Sequence, residues 1–95
     1  MSVRVQLPPI LRSLSGGERT VTAEGETIAA VMTELAMRRP AFARHLFDEA
    51  GHLRPSIVFL HDGELVRAGA AAARRVSPGD EIVLTNALSG GLPAI

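Results

Sequence analysis

The residues with the clearest potential for chemistry are Leu88-Ser89-Gly90-Gly91, which lie near the carboxyl end of the sequence. Glycine costs backbone entropy to order and offers no side chain for packing. A glycine pair is useful where backbone must enter a tunnel too narrow for a Cβ atom, as in an enzyme that activates a carboxylate with ATP. The residues that follow, Leu92-Pro93-Ala94-Ile95, hold the Gly91 carbonyl in an amide. If the pair is functional, the chain is therefore a precursor.

A glycine pair by itself is weak evidence, because most such pairs are loops. Gly16-Gly17 is the same dipeptide and is typical of a turn between two strand-like segments. The interpretation of Gly90-Gly91 therefore depends on its position near the terminus and on the strand-like segment that precedes it.

The amino-acid composition indicates which classes of protein function are compatible with this chain. The sequence has 95 residues and is 46% hydrophobic, which predicts one globular domain. No apolar run approaches the roughly 18 residues of a membrane span, and we expect a cytoplasmic protein. The balanced charge of ten basic and ten acidic residues favours neither nucleic acid nor a membrane surface as partner.

Cysteine and lysine are both missing from the chain. Without cysteine there is no disulfide, no cysteine nucleophile and no thiolate metal site, so any sulfur must be carried by another group. Every basic residue is arginine. The absence of lysine excludes a Walker-type phosphate loop, Schiff-base chemistry and an isopeptide acceptor on this chain.

The other ionisable residues form no recognisable catalytic or metal-binding motif. His45, His52 and His61 lack metal-ligand spacing and are expected to be ordinary surface or loop histidines. Asp80-Glu81 is expected to be solvated, and Arg74-Arg75 to be a charged edge. We therefore predict no catalytic residue and no metal ligand.

The hydrophobic pattern predicts one main helix against a sheet. Alternation and apolar runs indicate five strands, over residues 3–7, 18–23, 57–60, 65–66 and 82–85. Apolar residues recur at helical spacing from Ile28 to Leu35, with Thr27 as N-cap and Arg38 near the end. A second helical turn is expected over 41–47, and Ile10-Leu11 is expected to be irregular after Pro8-Pro9. This order predicts an α+β fold.

The order of elements, followed by Ser89-Gly90-Gly91, resembles the ubiquitin-like β-grasp sulfur carriers. That family includes the molybdopterin-synthase small subunit, the thiamine-pathway carrier and, most similar here, the carrier type of actinobacterial cysteine biosynthesis. The resemblance covers residues 3–91 and includes the segments 7–12, 16–17, 23–28 and 79–80. It implies a mixed sheet with one main helix packed on one face. It also implies a β-grasp domain over 1–88 and a flexible tail over 89–95 with a removable four-residue extension.

The resemblance also implies a function for the tail. A JAMM-type zinc peptidase would cut between Gly91 and Leu92, and an E1-like enzyme that recognises Ser89 and Gly90 would then adenylate Gly91. Sulfur would displace AMP and give a thiocarboxylate. The recipient would be a PLP-dependent cysteine synthase or a sulfur-incorporating enzyme of secondary metabolism. The chain itself would be a sulfur donor and not an enzyme, and ATP, zinc and PLP would be bound by its partners.

Two other classes fit the same sequence. A ubiquitin-like modifier that conjugates to lysines of target proteins would use the same tail and activation, and isopeptide adducts on other proteins would reveal it. A plain β-grasp interaction domain would have an incidental glycine pair, and would keep Leu92-Pro93-Ala94-Ile95 intact in cells.

Overall fold

A five-stranded mixed sheet and the helices that cover one of its faces make up the computed structural model, which describes residues 2–86. The strands are β1 (Val3–Gln6), β2 (Thr20–Ala23), β3 (Ile57–His61), β4 (Glu64–Arg67) and β5 (Glu81–Asn86). The helices are α1 (Pro9–Leu14), α2 (Ile28–Arg38) and α3 (Pro40–Leu46), with a 3-10 turn at Ala68–Ala70. None of these helices is long and apolar enough to cross a membrane.

The strand order is β2-β1-β5-β3-β4, so β5 lies at the centre of the sheet. The β1–β2 and β3–β4 pairs are antiparallel hairpins. β5 runs parallel to β1, with Val5 opposite Ile82, and antiparallel to β3, with Phe59 opposite Leu84. The last element within residues 2–86 is therefore held between the two hairpins.

Helix α2 packs on one face of this sheet, as its apolar stripe predicts. The Thr27 side chain accepts a hydrogen bond from the Ala30 N–H at 3.1 Å, which satisfies one of the free donors of the first turn. The buried face of α2 comprises Ile28, Val31, Met32 and Leu35. A Cβ on Gly25 would lie 2.6 Å from the Val31 nitrogen, so a glycine lets the chain pass close to the helix.

The structure corrects the expectation that Ile10-Leu11 is irregular. These residues belong to α1, which begins at Pro9. A proline at the first helical position loses no hydrogen bond, because that N–H has no partner inside the helix. Leu11 is buried in the core, and the Arg12 Nε donates to the Leu7 carbonyl at 2.8 Å. These contacts stabilise a six-residue helix that has no side-chain cap.

Candidate functional site

Strand β5 ends at Asn86, five residues before Gly91 in the sequence. Its last residue, Asn86, is paired with Ile57 at the start of β3. The predicted site residues Ser89, Gly90, Gly91 and Leu92 lie outside the described residues, as does the predicted boundary between 88 and 89. The residues that the structure describes end at Asn86, and Gly91 follows five residues later in the sequence.

The sheet face opposite α2 carries an apolar patch, which we call the outer patch and define as Leu60, Leu65 and Val83. Side chains alternate between the two faces of a strand, and the neighbours Phe59 and Ile82 belong to the buried core. Leu60 is paired with both Val83 and Leu65, so the three side chains lie side by side. Leu65 is 50% exposed. An apolar patch of this kind on a sheet face is typical of a surface that contacts a partner protein.

A second apolar surface lies where β5 ends. A small cleft there is lined by α1 residues, by His45 and Leu46 of α3, by Ile57 and by Leu84 and Thr85 of β5. We call it the exit cleft. It opens on the helix side of the sheet, since Ile57 and Leu84 are core residues.

His61 is the centre of a hydrogen-bonded network at the other end of β3. His61 is only 6% exposed. Its Nε2 lies 2.8 Å from Asp80 Oδ2, and its Nδ1 accepts a hydrogen bond of 2.8 Å from Arg74 Nε. Arg74 also donates to Glu64 at 2.8 Å, and Asp80 Oδ2 accepts the Ser77 backbone N–H at 2.8 Å. The network ties the β3–β4 hairpin to the segment that enters β5.

These contacts define the tautomer of His61. Arg74 donates to Nδ1, so Nδ1 carries no proton and Nε2–H is the donor to Asp80. His61, Asp62 and Asp80 place one ligand-type atom each within 4.8 Å of one another, but a metal would need the Nε2 lone pair. Neither nitrogen has a lone pair free to accept a proton from a substrate. The geometry fits a structural role.

The carboxylates of the network are stabilised in their charged form. The hydrogen bond from His61, together with that from the Ser77 N–H, lowers the pKa of Asp80. The hydrogen bond and charge of Arg74 lower the pKa of Glu64, and Glu64 in turn raises the pKa of Arg74.

We expect Asp80→Asn to lower the free energy of unfolding in a pH-dependent way. The folded-state pKa of Asp80 is below its ordinary value, so its contribution is fully present above about pH 4 and is lost as pH falls through the folded pKa. Urea unfolding at a series of pH values should show the largest gap between wild type and variant near neutrality. The exposed Glu49→Gln is the control, and a gap that is equally large in strong acid would contradict the assignment.

The expectation that His61 is a surface or loop histidine is wrong, as is the expectation that Asp80 is simply solvated. His61 extends β3 by one residue and lies on its buried face. Its partners come 13 and 19 residues later in the chain, a separation that local pattern does not reveal. Arg74 is likewise held in the network and is not a free charged edge.

Comparison with solved structures identifies the fold that this sheet and its helices form. The fold is similar to that of small archaeal modifier protein 1 (SAMP1) from Haloferax volcanii, with a TM-score of 0.79 and 28% identity over 96% of this chain and 100% of that one. It is also similar to the Amycolatopsis orientalis BexX/CysO complex structure, with a TM-score of 0.77 and 30% identity over 94% and 99% of the two chains. The fold is therefore the ubiquitin-like β-grasp.

The amino-acid sequence identifies the protein family within this fold. The chain is 31% identical over 93 residues to the sulfur carrier protein CysO of Mycobacterium tuberculosis, covering 96% of this chain and all of the relative. Residues 5–91 match the ThiS family. The protein belongs to the ThiS family and is a CysO-like sulfur carrier. The predicted fold and family are confirmed.

Proposed function

We propose that this chain is the precursor of a sulfur carrier whose Gly91 carboxylate is converted to a thiocarboxylate. One observation supports this most directly: the family match ends at Gly91, so Leu92-Pro93-Ala94-Ile95 fall outside it. Gly91 follows the end of the central strand by five residues. Hydrolysis of the Gly91–Leu92 amide by a JAMM-type zinc peptidase would release the carboxylate.

Activation needs two steps. A carboxylate is a poor electrophile, so an E1-like enzyme first directs a Gly91 carboxylate oxygen to the α-phosphorus of ATP, and pyrophosphate leaves. Hydrosulfide then attacks the carbonyl of the acyl adenylate, AMP leaves with both electrons of the C–O bond, and one proton is released. The product is a thiocarboxylate, whose sulfur is an anionic nucleophile at neutral pH as a thiolate is.

The composition suits an acyl adenylate on this chain. Cysteine thiolates and lysine amines are the side chains that would attack such an anhydride, and the chain contains neither. In the described residues His61 is blocked on both ring nitrogens. The chain therefore offers neither a thiolate nor a lysine amine to compete with an external sulfur nucleophile.

The sulfur acceptor we propose is a PLP-dependent cysteine synthase or a sulfur-incorporating enzyme of secondary metabolism. The first is supported by the similarity to CysO. The similarity to a CysO found in complex with BexX supports a protein as the partner of the carrier. The carrier would work in the cytoplasm, as substrate of its partners and not as an enzyme.

A second candidate function is modification of other proteins. The similarity to SAMP1, which is described as a modifier, favours it. It would use the same adenylate, with a target lysine amine in place of hydrosulfide. Since this chain has no lysine, it would form no chains of itself.

One experiment tests both candidates. The full chain and a chain ending at Gly91 are each incubated with the E1-like enzyme of the source organism, ATP and sulfide, and intact masses are measured. We expect only the shorter chain to gain about 16 Da, the difference between sulfur and oxygen in a reactive anion. An inert shorter chain, or a full chain that reacts with residues 92–95 attached, would refute the proposal. Isopeptide adducts on other proteins in cells would favour the modifier.

A further inference from the structure

Residues 71–76, which we call the strap, cap the start of helix α2. The N–H groups in the first turn of an α-helix have no partner inside the helix itself. Here the Ile28 N–H donates to the Arg74 carbonyl at 3.0 Å, and the Ala29 N–H donates to the Ala71 carbonyl at 3.1 Å. The strap therefore satisfies two donors that the helix leaves free.

The side chain of Arg74 holds the strap against the sheet. Its Nε donates to His61 Nδ1 at 2.8 Å, and a terminal nitrogen donates to Glu64 at 2.8 Å. One residue thus joins the start of α2, through its carbonyl, to strands β3 and β4, through its side chain. Loss of the contact with His61 should therefore weaken the hold of the strap on α2.

A proton on Nδ1 of His61 is incompatible with the Arg74 contact. A guanidinium only donates hydrogen bonds, so Nδ1 must present its lone pair to Arg74. With a proton on Nδ1, two donors and two positive charges would face each other across the 2.8 Å between the two nitrogen atoms. Histidine is the side chain whose ordinary charge change falls between pH 5 and 8. The charge of His61 and the position of Arg74 are therefore linked.

The charges around His61 can accommodate an imidazolium. They are, by segment, Asp62 from the β3–β4 turn, Glu64 from β4, Arg74 from the strap and Asp80 from the segment before β5. Strand β5 itself presents the apolar Ile82 opposite His61, and the side chain of Glu81 is hydrogen-bonded to Gln6 instead. The Asp80 and Asp62 carboxylates lie 2.8 Å and 3.8 Å from Nε2, and both favour a positive ring.

We infer that the strap is a pH-sensitive latch: when Nδ1 of His61 takes up a proton from solvent, the Arg74 side chain leaves it and the strap loosens its hold on the start of α2. Arg74 keeps its charge, so the only covalent change is the new N–H bond on the imidazole. Because Arg74 also binds Glu64, the same event frees the turn end of β4, beside Leu65 of the outer patch.

Hydrogen exchange of the Ile28 and Ala29 amides tests the latch, in the full chain, by NMR between pH 7 and pH 5. Protection factors are compared, because they remove the intrinsic pH dependence of exchange. We expect both factors to fall by about tenfold or more, since one coupled proton changes an opening equilibrium by up to about tenfold per pH unit. The Arg39 amide, which bonds to Leu35 at the other end of α2, should keep its protection.

Two variants assign this fall to the latch. His61→Gln cannot take up a proton in this pH range, and Arg74→Ala removes the contact that the proton would break. Protection of the two amides should be independent of pH in both. His52→Gln, at an exposed loop histidine, is the matched control and should keep the wild-type fall. Asp80 and Glu64 do not account for the fall, because hydrogen bonds hold the pKa of each carboxyl below its ordinary value.

Equal protection of the two amides at pH 7 and pH 5 in the wild type would overturn the inference. So would an undiminished fall in either variant, and Arg74→Ala, which truncates a partly exposed side chain, decides the matter if His61→Gln does not fold. An equal fall at Arg39 would also overturn it, because α2 would then be opening as a whole. A chain that is not adenylated would refute the proposed function alone, since the exchange measurement does not involve Gly91.

Discussion

Gly91→Ala, in a chain that ends at residue 91, is expected to slow adenylation by about 100-fold or more while leaving stability unchanged. The added Cβ would meet the wall of the partner's tunnel and displace the carboxylate from the α-phosphorus, and a displacement of about 1 Å at a reacting atom can have an effect of that size. The substitution changes none of the core side chains of residues 2–86. ATP–pyrophosphate exchange and thermal unfolding measure the two quantities separately.

Gly69→Ala is the matched control for that result. A Cβ at Gly69 meets no atom within 4 Å, so this variant makes the same chemical change without a clash. We expect it to fold and to be adenylated like the wild type. Adenylation of Gly91→Ala at the wild-type rate would mean that no narrow passage surrounds the terminal residue, and the argument for glycine there would fail.

Leu35→Ala is expected to destabilise the domain by about 2–5 kcal/mol. Leu35 is 1% exposed and belongs to the buried stripe of α2, so truncation leaves a cavity between helix and sheet. Small domains have only about 5–15 kcal/mol of stability, so the loss would be a large fraction of the total. Equilibrium unfolding in urea measures the difference in unfolding free energy between variant and wild type. The m-value, which is the slope of the unfolding free energy against urea concentration, is fixed at the wild-type value.

Met37→Ala is the control that separates the loss of a buried side chain from a change in helix propensity. Met37 lies two residues further along the same helix and is 76% exposed, so its truncation should change stability by less than about 0.5 kcal/mol. Similar losses for the two variants would mean that α2 does not pack on the sheet by its Leu35 face.

Most of the scaffold could be predicted from the sequence because its signals are local. The alternation in β1, the apolar run of β3 and the Thr27 cap each depend on residues within one element. The Asp62-Gly63 turn is equally local, and both residues adopt the positive φ values that this hairpin turn requires.

Features that depend on distant contacts were missed. Helix α1 lacks a side-chain cap and is stabilised by burial of Leu11, and the prolines at its N-cap and first position concealed it. The His61 network joins three separate segments, and only the folded chain brings them together. At the site itself, the functional interpretation of the glycine pair came from the sequence. The exit cleft, which lies beside the strand that precedes this pair, is visible only in the structure.

The central position of β5 also has a mechanical consequence. A pull on the chain beyond Asn86, directed along the axis of β5, would act on a strand that is bonded along one side to β1 and along the other to β3. A pull along the strand loads both rows of hydrogen bonds in shear, so they must break together, whereas an edge strand pulled sideways would peel open one bond at a time. The domain is therefore expected to resist unfolding by a force applied to the end of β5.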